Sequence, residues 1–296
     1  MPEGPSVQAL RGGRLHLQHG PIDVVLRAWG ARAAVAIAYE AAVARFRTVL
    51  RELVSELPEL RKAMDDGPRV EGAVARRMVA ACLPHRGVFV TPMAAVAGAV
   101  ADELLAAMTG AAALDKAFVN DGGDIAVHLA LGETMAVGLA ADFSMGPVPA
   151  VDGRALLRSG DGIGGVATSG RQGRSFSFGI ADSVTVLARD AAGADAAATL
   201  VANAVDLPDH PAIRRVPARA LDPDSDLGDR HVTVAVGDLA PDEVSTALAG
   251  GGSRAEAMRA GGLIRGAALS FRGETLIIGN GRRLSLCRAE EDRLPR

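Results

Sequence analysis

The segment with the most chemistry in this 296-residue chain is SVTVLARDAAGADAAAT, Ser183–Thr199. It reads as a buried strand, a short loop and a helix that starts near Asp195. Asp195 and Thr199 lie four residues apart, so one helical turn puts both on one face. A carboxylate and a hydroxyl placed that way can give oxygens to a hard cation, with phosphates and water completing its shell. A structural reading competes. An aspartate in a first helical turn favours the macrodipole, and a threonine on an alanine-rich helix can simply pack. Taken alone, the structural reading is favoured.

Two glycine-bearing segments are the other candidates. In VNDGGDIA, Val119–Ala126, a strand ends, two glycines follow, and Asp121 and Asp124 flank them. Without Cβ atoms, Gly122 and Gly123 let the backbone turn sharply or approach a ligand. Their amides could bind an anion while the acids hold a hydroxyl, an amine or a cation. A hairpin turn with solvated acids is the simpler reading. Neither a phosphate-loop lysine nor a G-x-G-x-x-G run follows, so the nucleotide fingerprints are missing. In GIGGVATSG, Gly162–Gly170, the order Ala-Thr-Ser-Gly followed by strand-like sequence argues against a nucleophilic serine on an elbow. Thr168 and Ser169 can instead donate hydrogen bonds to a flat ligand, and Arg171 and Arg174 can serve its phosphates.

Other residues carry less. Asp222, Asp224 and Asp226 in DPDSDLGD resemble the opening of a calcium loop, but the glycine comes one place late and a solvated turn is the better reading. His128 falls on a strand and reads as a satisfied core histidine; the roles of His16 and His19 stay open. Cys82 and Cys287 stand alone in sequence and read as two thiols rather than a disulfide.

The elements that must hold these residues follow from periodicity. Strands are expected at 14–19 and 22–29 around Gly20-Pro21. A helical pattern runs from Ala31 to Leu57, with Pro58 interrupting it, and a second covers Val70 to Leu83. Thr91 as N-cap and Pro92 as first residue open a helix reaching about Thr109. Seven short strands are then expected, at 117–120, 125–131, 134–140, 155–158, 165–169, 175–178 and 183–188. A helix from about 194 to 205, a strand at 231–236, a helix at 241–258 and a hairpin at 264–278 around Arg272-Gly273 complete the chain. Strands grouped between long helices give an α+β class, with a mixed or antiparallel sheet, flanking helices and two intimate lobes. One domain is expected over residues 13–285, with flexible termini at 1–12 and 286–296.

Hydrophobic residues form 49% of the chain and aromatic residues only 3%, so the core must be built from alanine, valine, leucine and isoleucine. A net charge of -3 with interspersed signs gives no basic face for nucleic acid. The N-terminus lacks a signal-peptide pattern, and no uninterrupted apolar run of about 18 residues is available for a bilayer. The expectation is therefore a cytoplasmic protein with no membrane partner. The alanine-rich helices suit a homodimer.

Taken together, these segments resemble the ApbE-like superfamily, whose best-known members are FAD- and magnesium-dependent protein FMN transferases. The chain looks like the shorter, uncharacterised cytoplasmic ApbE-like family. The resemblance rests on GPIDVVLRAWG, TPMAAVAGAVADELL, AFVNDGGDIAV, GVATSGRQGRSFSFGIADSVTVLA and ADAAATLVANAVD, and covers most of residues 13–280. It implies an ApbE-like fold with Mg²⁺ held by Asp195, Thr199 and a backbone carbonyl, for which AAVAG points to Val96. It also implies a flavin nucleotide, FAD or FMN, near Asn120, Gly122, Gly123, Thr168, Ser169 and Asp182; no catalytic residue is assigned. The pattern departs in two places. Ala97 stands where the transferases carry a lysine, and SFSFGIADS keeps only the aspartate, Asp182, of a histidine-isoleucine-aspartate run. With no lipoprotein signal, flavinylation of an exported acceptor is not expected. Two functions follow from the resemblance: a magnesium-dependent flavin or nucleotidyl transferase, or a metabolic accessory protein that keeps the fold and binds a small ligand, as in sulfur assimilation into homocysteine.

Overall fold

The computed structural model describes residues 4–139, 153–173, 175–279 and 284–286; Arg174 and Cys287 lie outside them. The chain is α+β. Its contacts divide it into two units, Met1–Glu133 with Arg158–Ala167 and Leu187–Ala196, and Thr134–Leu157 with Thr168–Val186 and Ala197–Arg296.

In the first unit the strand order is β1-β2-β3-β4-β5-β8, where β1 is Ser6–Leu10, β2 Arg14–His19, β3 Ile22–Trp29, β4 Lys116–Asp121, β5 Asp124–Leu129 and β8 begins at Gly165. The neighbouring pairs are antiparallel. Period-two alternation decides the faces: Val24, Leu26 and Ala28 on β3 and Ala117 and Val119 on β4 are buried, while the residues between them are half-buried. On that second face Trp29 lies against the guanidinium of Arg27, 4.3 Å from its ring centre, and the ammonium of Lys116 at 5.6 Å.

Helix α1 (Arg32–Ser55) buries Ala38, Ala42, Phe46, Val49 and Leu53, a stripe of helical period. Burial stabilises by roughly 1.5–3 kcal/mol for each large apolar side chain. The helix stops two residues before its expected end, and Pro58 instead sits in the first turn of a one-turn helix α2 (Leu57–Leu60), where its missing N–H is not needed. Helix α3 is Ala73–Cys82. Thr91 and Pro92 do open a helical segment, but its first four residues are a 3₁₀ turn and α4 proper is Val96–Ala111. By length and composition the 20-residue stretch Pro92–Ala111 could cross a membrane, although 44% of its apolar window is buried. It carries Asp102 and Glu103, and Glu103 accepts from Arg45 Nε and Arg77 Nε, both at 2.9 Å.

The second unit contains β6 (Thr134–Leu139), β7 (Gly153–Arg158) and β14 (Leu284–Leu286) in the order β14-β7-β6. It also holds the pair β10 (Ile213–Pro217) and β11 (His231–Val236) and the neighbours β12 (Ile264–Phe271) and β13 (Glu274–Gly279). Helix α6 (Pro241–Ala260) packs on β12 and β13. β9 is Ser183–Ala188 and α5 is Ala191–Ala204.

Three expectations need correcting. Residues 1–12 were expected to be loose, yet Ser6–Leu10 form β1 by adding to the edge of β2. Ser175–Phe178 is not a strand: Phe178 N–H and the Ser177 hydroxyl both go to Asn203 Oδ1, and Thr233 N–H donates to Ser177 carbonyl, so these backbone groups are satisfied without a ladder. Helix α5 starts at Ala191 rather than near Asp195, which moves Asp195 into its second turn.

Candidate functional site

The VNDGGDIA segment is a two-residue hairpin. Asp121 pairs with Asp124 across it, and Gly122 and Gly123 turn the chain at φ 64° and 117°, backbone that side chains rarely adopt. The Asn120 carboxamide oxygen accepts from Gly123 N–H at 2.8 Å and braces the turn. The turn reading therefore holds, but the acids are not solvated. Asp121 shares its strand face with the buried Ala117 and Val119 and is itself only 6% exposed. Asp124 sits opposite it on the same face, half-buried. Alternation puts Asn120 on the other face.

The charges of both acids act on Asp195. Its carboxylate accepts from Gly98 N–H at 3.1 Å and also from the Ala97 amide. Burial holds its pKa well above the usual carboxylate range; the charges of Asp124 and Asp121 push the same way, and the two amides pull it back. Asp195 thus caps the first turn of α4 from a distance, since Ala97 and Gly98 are among the amides a helix leaves unpaired. Val96 is the first residue of that helix.

The arrangement is reciprocal. Asp102, on α4, takes Ala191 N–H on Oδ1 at 3.0 Å and Ala192 N–H on Oδ2 at 2.9 Å. Asp190 completes the cap of α5 by accepting from Gly193 N–H at 2.8 Å. Each helix start carries the carboxylate that satisfies the other. The close approach requires glycine: a Cβ on Gly98 would stand 2.2 Å from the Ala191 carbonyl oxygen, one on Gly165 2.1 Å from Asp190 backbone atoms, and one on Gly164 2.5 Å from the Arg189 carbonyl oxygen. Sequence reasoning missed Asp102 entirely, because its partners lie 89 and 90 residues away.

Burial raises the Asp102 pKa to about 6; the Asp190 charge adds to this, and the Ala192 and Ala191 amides oppose it. An acid whose pKa is higher folded than unfolded destabilises the fold when it ionises. The stability it allows is complete below the unfolded value of 3.8 and declines as pH rises through about 6. Chemical denaturation between pH 4 and 7 should show that decline in the wild type, and Asp102→Asn should flatten it.

Thr199 is one turn beyond Asp195 on α5, and the two are half-buried on a helix whose Ala194, Ala196, Ala197 and Ala198 are fully enclosed. Thr199 falls in the second unit, as do Thr168, Ser169 and Asp182. There the Thr168 hydroxyl pairs with the Thr185 hydroxyl at 2.8 Å, and Ser169 is half-buried. Asp182 takes Arg171 Nη2 on Oδ1 at 2.8 Å and Arg272 N–H on Oδ2 at 2.7 Å. Arg272, at φ 52° in the β12–β13 turn, fixes its guanidinium on the carbonyls of Val236 and Gly237 at 2.9 and 2.6 Å. Asp182 is thus a clasp between two loops. Asp182→Ala should cost on the order of 2–3 kcal/mol, since it strands a part-buried guanidinium; urea melts of the variant measure it.

The remaining candidates are structural. His128 is half-buried rather than in the core, and its Nε2 bonds Leu114 carbonyl at 3.2 Å. Asp222 accepts from Asp224 N–H at 2.9 Å in an exposed turn. Cys82 is buried, its thiol on Thr91 carbonyl at 3.4 Å, and burial pushes its pKa up. Among the described residues no three His, Cys, Asp or Glu side chains form a ready metal cage.

Residues 7–277 match the family described as AbpE bacteria. The chain is similar to a UPF0280 protein of Methanothrix thermoacetophila, 38% identical over 174 residues, which is 56% of this chain and 68% of that protein. UPF0280 proteins of Archaeoglobus fulgidus and Methanothermobacter thermautotrophicus are 39% and 35% identical over 134 and 165 residues, and the matches span 51% and 60% of their lengths. Among solved structures, the apo form of the flavinyl transferase ApbE of Pseudomonas stutzeri aligns over 93% of this chain and 94% of that one, at 12% identity and a TM-score of 0.41. A likeness that low extends to no individual residue.

Proposed function

From the premise that this chain belongs to the AbpE bacterial family, we propose that it binds a divalent cation at Asp195 and, through that cation, the pyrophosphate of a flavin or related nucleotide. The observation that carries this reading is the environment of Asp195. A half-buried carboxylate whose pKa is raised by desolvation and by the charges of Asp124 and Asp121 is held at a cost that either a proton or a cation relieves. The oxygen donor set suits Mg²⁺, and without a full protein cage the remaining ligands would be phosphate and water, as that ion prefers.

In this reading Asp195 holds the ion. Asp121 and Asp124 supply further negative charge from the hairpin. The Ala97 and Gly98 amides keep the Asp195 carboxylate oriented. When bound, the cation neutralises the pyrophosphate and polarises it for attack by an acceptor hydroxyl. Asn120, Thr168 and Asp182 have protein partners of their own, which fix their side chains in place. Ala97 offers no side-chain base or cation of its own at the position where the transferases carry a lysine. This favours the second reading, a protein that binds the nucleotide without turning it over.

The test is to add FAD and Mg²⁺ to the purified protein and follow flavin fluorescence together with AMP release in the presence of a hydroxyl-bearing acceptor peptide. Binding with AMP release supports a transferase, and binding without it supports an accessory role. Flavin that stays free at tens of micromolar protein contradicts both. Because Asp195 gives up its proton late, Mn²⁺ affinity should also rise with pH beyond the ordinary carboxylate range, and calorimetry in buffers of different ionisation enthalpy should detect proton release on binding.

A further inference from the structure

The two helix starts described above do more than satisfy each other's amides. We propose that Asp102 is a positioning residue for the cation site, acting through α5; this rests on the reading of Asp195 as a cation ligand. Asp195 is borne by the opening turns of α5, and the beginning of that helix is fixed by very few groups. Asp102 holds its first two amides with both carboxylate oxygens, at 3.0 and 2.9 Å. Gly98 and Gly165 let the Asp190–Ala191 backbone approach to where any Cβ would overlap it, at 2.2 and 2.1 Å. Asp195 then closes the circuit back onto Gly98 N–H at 3.1 Å.

In α5, Asp195 lies four residues after Ala191, so a rotation or slip of the helix start moves its carboxylate directly. Asp102 is the only side chain among the described hydrogen bonds that holds the Ala191 and Ala192 amides. Losing it frees the first turn to shift, and Asp195 would then move away from the Gly98 amide that orients its carboxylate. A cation held by that carboxylate would be lost even though Asp102 never touches it. Its neighbour Glu103 supplies a control. It lies on the same helix and anchors Arg45 and Arg77, but it makes no bond to α5 among those described.

The experiment is Mn²⁺ titration of the full chain, read by the loss of free-ion EPR signal, for wild type, Asp102→Ala, Asp102→Asn and Glu103→Gln, all well below their melting temperatures. Wild type and Glu103→Gln should bind Mn²⁺ alike. Asp102→Ala should bind at least tenfold more weakly, and Asp102→Asn, which keeps one acceptor, should fall between. Equal binding by Asp102→Ala and wild type overturns the inference, as does an equal loss in Glu103→Gln, which would make the effect one of general stability. A wild type that binds no Mn²⁺ refutes the cation reading itself, a separate outcome. If neither Asp102 variant folds, amide exchange in the wild type decides: saturating Mg²⁺ should slow exchange at Ala191 and Ala192 at least fivefold, and unchanged exchange there overturns the proposal.

Discussion

Replacing Gly165 with alanine should lower the melting temperature by at least about 6 °C or prevent folding. The new Cβ would stand 2.1 Å from the Asp190 carbonyl carbon and oxygen and 2.3 Å from Ala191 nitrogen. Overpacking costs roughly 1–3 kcal/mol where side chains can move aside. Here the obstacles are backbone atoms at the mouth of α5, which Asp102 and Gly98 pin from the other side. A cost above about 3 kcal/mol is expected, at roughly 2–4 °C per kcal/mol for a chain of this size. Gly98→Ala should behave similarly, its Cβ 2.2 Å from Ala191 oxygen. Gly110 in α4 meets nothing within 4 Å, so Gly110→Ala should be neutral or stabilise by up to ~1 kcal/mol. Thermal melts by circular dichroism give the ranking; a Gly165→Ala melt within a degree or two of wild type would show that the two segments are not packed as described.

Asp195→Asn should separate stability from binding. The substitution removes a charge disfavoured by burial and by two neighbouring carboxylates, while its carboxamide oxygen still accepts from the Gly98 or Ala97 amide. At pH 7 the metal-free variant should melt at or above the wild-type temperature. Its Mn²⁺ affinity should nevertheless fall roughly a hundredfold or more, since changes one shell removed from a metal already cost 10–100-fold. If Asp195 were only a helix cap, the signs would reverse: stability would fall by about 1 kcal/mol, and any Mn²⁺ binding would be unaltered.

Much of the framework could be read from residue patterns. The β3 alternation and the α1 stripe are local, and each sets its buried face by its own period. Gly122-Gly123 announced a turn. The inward direction of Asp121 was also available, because counting by twos from Ala117 and Val119 reaches it; assigning the acids to solvent ignored that parity. Other features were hidden for physical reasons. SVQAL is a strand only because β2 offers an edge. Ser175–Phe178 alternates like a strand, but its polar groups are taken by Asn203, a residue of α5. The true start of α5 was masked by Gly193, which reads as loop, and its cap comes largely from Asp102 on another helix. Long-range carboxylate-to-amide bonds leave no periodic trace, so the reciprocal cap that sets Asp195 in place could not be found without coordinates.

A crystal soaked in Mn²⁺, with anomalous data collected at the manganese edge, tests the central claim most directly. A peak should appear within about 2.3 Å of an Asp195 carboxylate oxygen, on the side of the sheet where Asp121 and Asp124 lie. An ordered Asp195 that bonds only the Ala97 and Gly98 amides, with no anomalous density beside it at saturating Mn²⁺, would contradict it.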